Sequence, residues 1–81
     1  MRYAEDIKQF IIRDILSNED YVELNFQDNL IMTGIIDSVG IQSLISFLER
    51  KYNIEIEDQD ILPENFENID AICSFISKKT Q

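Results

Sequence analysis

Histidine and tryptophan are absent from this 81-residue sequence, cysteine and proline occur once each, and glycine twice. Without histidine the commonest general base and metal ligand is gone, and a Ser-His-Asp triad is excluded. A single cysteine, Cys73, permits no internal disulfide, which points to a reducing compartment. It also cannot supply the ligand spacing of a zinc site. Gly34 and Gly40 are too few for a glycine-rich phosphate loop. Asp58, Asp60 and Glu64 superficially suggest a calcium loop, but Leu62 falls at a ligand position and Pro63 where the loop needs glycine. With no Gly/Ser/Pro-rich tract to act as a linker, residues 1–81 read as one domain with its core between about 3 and 78. No apolar run approaches the ~20 residues of a membrane span. The first six residues carry Glu5 and Asp6 where a signal peptide would be apolar. The expected location is cytoplasmic.

Basic residues are also scarce. Seven Lys plus Arg face 16 Asp plus Glu, a net charge of −9. Phosphate backbones and anionic membranes need the opposite sign, so nucleic acid and membrane surfaces are excluded as partners. The charge suits basic protein partners reached by electrostatic steering, or solubility alone. It is unevenly spread. Asn53 to Asp70 holds seven acids and no base, whereas Val39 to Ser46 holds no charge.

What is present is helical periodicity. Apolar residues make up 44% of the chain, and a domain this small buries only about 60% of its unfolded surface. That leaves room for three or four helices and little for a deep active site, so catalysis by the chain alone is not expected. Ile7, Phe10, Ile11 and Ile15 share one helical face, widened by Ile12 and Leu16, which predicts a helix over about 4–16. Residues 19–37 lack a sustained period. Tyr21–Phe26 alternates only in part, so the stretch reads as a long loop, anchored by Leu30, Ile31 and Met32 and turned at Gly34.

Ile41, Leu44, Ile45, Leu48 and Tyr52 give the cleanest period, in a second helix starting at Asp37 or Ser38, both good N-caps. Ile54 and Ile56 alternate with acids in an extended piece that tucks both into the core. Asp58–Leu62 suggests one short helical turn ended by Pro63. Ile69, Ile72, Cys73 and Ile76 mark a last helix over about 69–78, with Asn68 as its cap. Cys73 reads as a buried structural cysteine. The expected fold is all-α: a four-helix bundle of three main helices and one short helix, with a long first loop.

The remaining chemical feature is Ser38. Asp37-Ser38 alone reads as a helix cap. Its setting adds more: a glycine turn precedes it, the best helix follows, and an uncharged face adjoins it. A phosphate ester at this position would sit at a helix N-terminus, where backbone amides and the helix dipole favour negative charge. Nothing nearby would activate the serine as a nucleophile, so the site suits modification by another enzyme.

Gly34-Ile35-Ile36-Asp37-Ser38-Val39, followed by the Leu44/Ile45/Leu48 face, Glu49 and Tyr52-Asn53-Ile54-Glu55-Ile56, resembles the acyl carrier and peptidyl carrier proteins. The resemblance covers about Tyr3 to Lys78. It implies that Ser38 carries 4′-phosphopantetheine, transferred from coenzyme A by a phosphopantetheinyl transferase that supplies the base and magnesium and recognises Asp37. The arm's thiol would hold an acyl or aminoacyl group as a thioester. Val39, Gly40, Ile41, Gln42 and Ser43 would lie on the face that partners read. The chain would be a monomer with no activity of its own, served by an adenylating enzyme and by downstream tailoring or condensing enzymes. Fatty-acid carriers of this family usually bear several acids along the second helix; here there is one, Glu49. The expected cargo is therefore an amino acid or small carboxylic acid of a specialised pathway, with a fatty-acid or polyketide carrier as the alternative. Outside the family, the alternative is an unmodified acidic interaction module.

Overall fold

The computed structural model describes residues 3–15 and 24–80. The chain forms a small all-α bundle. α1 spans Tyr3–Phe10 and runs directly into one π-helical turn, Ile11–Ile15. α2 spans Ser38–Tyr52, a 3-10 turn follows at Asp58–Asp60, and α3 and α4 span Pro63–Phe66 and Ile69–Thr80. The N-terminal apolar stripe packs as expected, with Ile7, Phe10, Ile11 and Ile12 all buried. Its second half is wound more loosely than an α-helix, in the single-turn form that π-helices take. Leu16 and most of the partly alternating stretch Tyr21–Phe26 lie outside the described residues. Leu24 and Asn25, its described part before a turn at Phe26, are not strand.

The core is aliphatic with aromatic pairs at its edges. Leu44 and Leu48 of α2, Phe66 of α3, and Ile69, Ile72 and Ile76 of α4 are fully enclosed. Phe10 stacks on Phe47 with ring centroids 4.2 Å apart, closing α1 onto α2. Phe66 and Phe75 pack at 5.5 Å and join α3 to α4. At the C-terminal end of α2, the Tyr52 hydroxyl donates to Asp6 at 3.4 Å. Burial, with the Asp6 carboxylate beside it, pushes the Tyr52 phenol up to about 12. Cys73 is half-buried rather than enclosed, and burial, aided by Asp70, raises its thiol.

The loop before α2 is held by side chain–backbone bonds. Asn29 Oδ1 accepts the amides of Ile31 at 3.1 Å and Met32 at 2.9 Å, the short-range bonding that makes asparagine a turn former. Only one of the three expected anchors is buried here. Leu30 is fully enclosed, whereas Ile31 is 38% and Met32 85% exposed. The turn built on Asn29 points successive side chains in different directions, so three adjacent apolar residues cannot all face the core. Gly34 does turn the chain, at φ +80°. Leu30 also bridges two regions: its N–H donates to the Glu67 carbonyl at 2.7 Å, and its carbonyl accepts the Ile36 N–H at 2.9 Å.

Pro63 starts a helix rather than stopping one. It is the first residue of α3, where a missing N–H costs nothing and the fixed φ is already helical. The expected turn shortens to Asp58–Asp60. Of the two isoleucines before it, Ile56 is buried and Ile54 half-buried. The Ala71 amide donates to Asn68 Oδ1 at 2.7 Å, so Asn68 caps α4 as the sequence predicts.

Candidate functional site at the start of the second helix

Asp37 and Ser38 divide two roles that the sequence leaves shared. Asp37 is extended, at φ −105° and ψ −168°, and its carboxylate accepts the Gly40 amide N–H at 2.8 Å. Asp37 is thus the N-cap. Ser38 becomes the first helical residue, and its side chain is exposed. The helix begins here because Gly34 reverses the chain, Ile36 (3% exposed) plugs into the core, and Asp37 takes up a first-turn amide.

The five expected partner-facing residues separate. Val39 is 74% exposed, and Gln42 and Ser43 are also exposed. Ile41 is half-buried and lines a groove beside Ser38. Gly40 is a correction: it is buried, one helical turn before the enclosed Leu44. A Cβ there would lie 3.4 Å from Asp37 Oδ1, 3.6 Å from Ile36 Cγ2 and 3.7 Å from Ile15 Cγ2. These are ordinary van der Waals distances, so the position is closely packed yet has room for a methyl group. Glu49, the one acid on α2, is also turned to structural use, since its carboxylate accepts the Ile56 N–H at 2.9 Å. The exposed first two turns of α2 therefore carry no charge beyond the capping Asp37.

Asp37 borders two hollows, and Ser38 lines the first of them. On one side is an apolar groove of about 350 Å³, walled by Ile31, Ile36 and Ile41 and, opposite them, by Ile61, Leu62 and Pro63. On the other is a more polar hollow of about 390 Å³, bordered by Asp14, Gly34, Val39 and Ser43. The large apolar side chains left exposed among the described residues are Ile31, Met32, Val39 and Leu62. All four lie in or next to these walls. The contribution of Ile61–Pro63 was not visible in the sequence, which separates these residues from Ser38 by more than twenty positions.

The opposite wall is fixed by charge. Lys79 of α4 meets Asp60 at 2.6 Å. Asp60 also accepts the Glu57 amide at 3.0 Å, while the Asp60 and Glu57 side chains cap each other's backbone amides. The bond from Lys79, with that from the Glu57 amide, holds the Asp60 carboxyl below its ordinary value and in turn raises Lys79.

No family model matches the chain, and no curated protein matches it. Among solved structures, the chain is similar to one described as "Crystal structure of FAD-dependent dehydrogenase". The two are 30% identical with a TM-score of 0.78, and the match takes in 86% of this chain and 97% of that one. The chains are thus of similar length, and the likeness supports the all-α fold.

Proposed function

We propose that the protein is a carrier whose Ser38 is the attachment point for 4′-phosphopantetheine. The observation that carries this is the division of labour at the start of α2: Asp37 caps the helix, leaving the Ser38 side chain exposed at its first position. A phosphodiester fits there, because first-turn amides and the helix dipole favour an anion. In the transfer, Ser38 Oγ bonds to the phosphorus next to the pantetheine of coenzyme A, adenosine 3′,5′-bisphosphate leaves, and the hydroxyl proton passes to a base of the transferase. Magnesium and base come from that enzyme. When attached, the arm supplies a thiol that holds an acyl or aminoacyl group as a thioester. The chain's own residues orient the serine (Asp37, Ile36) and present an uncharged surface (Val39, Gln42, Ser43).

An amino acid or small carboxylic acid loaded by an adenylating enzyme is the favoured cargo. This is supported by the uncharged start of α2 and by the use of Glu49 inside the fold. A fatty-acid or polyketide cargo is the alternative. The likeness to a chain described as an FAD-dependent dehydrogenase suggests one class of downstream tailoring enzyme, a flavin-dependent dehydrogenase acting on the tethered group. With 81 residues and no strand among the described ones, this chain is better suited to supplying such an enzyme than to binding flavin itself.

The test is incubation with coenzyme A, magnesium and a broad-specificity phosphopantetheinyl transferase, followed by intact-mass measurement. A phosphopantetheine adduct on the wild type and none on Ser38→Ala is the expected result. An unmodified wild type would favour a plain acidic docking module, for which the exposed side chains of Ile31, Val39 and Leu62 around the two hollows are also suited.

A further inference from the structure

In a chain of net charge −9, no exposed residue of α2 is acidic. Glu49, the one acid on the helix, is half-buried and taken up by the Ile56 amide. Gln42, Ser43 and Ser46 are exposed and uncharged, and the last turn exposes two cations, Arg50 and Lys51. These lie three and four residues after Phe47, so both neighbour it on the helix surface. Together the three residues line a shallow hollow of about 420 Å³. A rise of 1.5 Å per residue puts Arg50 about 18 Å along α2 from Ser38, well clear of the serine.

Neither cation is firmly neutralised. Arg50 makes no ion pair among the described residues. Its Nε donates to the Ser46 carbonyl at 3.3 Å, which leaves the two terminal nitrogens for a carboxylate. Lys51 reaches Asp6 only at 3.9 Å, with both side chains over 40% exposed, and such pairs are weak. Asp6 is also shared with the Tyr52 hydroxyl. The aromatic member is already fixed. Phe47 stacks on the buried Phe10 with 15° between the ring planes, so a ligand meeting it need not order it first. The helix dipole accounts for cations in the last turn. It does not account for their flanking a half-buried ring with so little acid to meet them.

We propose that the hollow of Phe47, Arg50 and Lys51 docks an acidic segment of a partner protein, seating an apolar side chain on Phe47 between carboxylates that pair with Arg50 and Lys51. Charge complementarity selects this occupant. A second copy of the chain is less suited, because two molecules of net charge −9 repel each other. The same net charge favours a partner that is basic elsewhere, so the segment is an acidic island on a basic protein, the inverse of the surface it meets. The surface does not depend on Ser38 being modified, so it stands or falls separately from the carrier assignment.

Amide NMR on the full unmodified chain tests this, with a short synthetic peptide of alternating glutamate and leucine as the probe and its lysine–leucine counterpart as the control. At millimolar concentration the glutamate peptide should shift the amides of residues 46–52 and the ring protons of Phe10 and Phe47. The lysine peptide should leave these signals in place. Arg50→Gln should raise the apparent Kd severalfold, Arg50→Lys should raise it less, and the double variant Arg50→Glu/Lys51→Glu should abolish the shifts. Both positions are exposed, and unchanged amide spectra elsewhere in the chain would show that the variants fold. Absent shifts at 46–52, shifts centred on another surface, or equal binding by the double variant would overturn the proposal. So would signals at 46–52 that move with the concentration of the chain alone, which would assign the hollow to a second copy.

Discussion

The Asp37 carboxylate and the Gly40 amide meet at 2.8 Å across the first turn of α2. This bond sets both where the helix begins and where Ser38 stands. Asp37→Ala should destabilise the fold by about 1 kcal/mol, the usual cost of losing an N-cap. Asp37→Asn keeps an accepting oxygen and should recover most of that stability. If Asp37 also guides the transferase, Asp37→Asn should still slow phosphopantetheine transfer. Urea unfolding and transfer rates, measured on the same two variants, separate the cap from the recognition.

Gly34 and Asn53 are the two described residues with positive φ, at +80° and +54°. Nothing lies within 4 Å of a Cβ built on Gly34, so Gly34→Ala meets only backbone strain. It should cost about 1–2 kcal/mol. Asn53→Gly, at the C-cap of α2, should stay within about 0.5 kcal/mol of wild type, while Asn53→Ala should be clearly less stable. Thermal unfolding by circular dichroism checks all three.

Val39 is 74% exposed beside Ser38 and touches the polar hollow rather than the core. Val39→Asp should leave stability within about 0.5 kcal/mol of wild type, as surface changes generally do. It should lower kcat/KM for modification of Ser38 by placing charge on an uncharged landing surface. Equal kcat/KM for the two proteins would remove Val39 from the partner face.

Tyr52 should ionise above the ordinary tyrosine range. Its folded value of about 12 lies above the ordinary 10.0, because burial and Asp6 both disfavour the phenolate. The neutral form is favoured by folding, so this stabilising contribution is complete below pH 10 and is lost as pH rises from 10 towards 12. Tyrosinate absorbance should show one late step that disappears in Tyr52→Phe and moves to lower pH in Asp6→Asn.

Much of the bundle was legible because helix faces repeat. The α2 stripe from Ile41 to Tyr52 and the α4 stripe from Ile69 to Ile76 both lie where periodicity puts them. Periodicity could not distinguish the π-turn at Ile11–Ile15 from an α-helix, since neighbouring apolar residues satisfy both windings. Nor could it choose among Leu30, Ile31 and Met32, whose directions depend on hydrogen bonds to Asn29. Pro63 was ambiguous for a chemical reason: lacking an N–H, it fits after a helix or at the first position of one. At the candidate site, Asp37 and Ser38 were legible from local spacing. The burial of Gly40 and the far groove wall were not, because both depend on contacts distant in the chain.

If Ser38 carries the proposed arm, the two bonds made by the Leu30 backbone have a mechanical meaning. Any load borne at Ser38 enters the chain next to Ile36, whose amide is tied through Leu30 to the Glu67 carbonyl. A pull on Ser38 would thereby be shared between α2 and the α3–α4 junction, and the serine would behave as a post set in two footings rather than as a peg at the end of one helix.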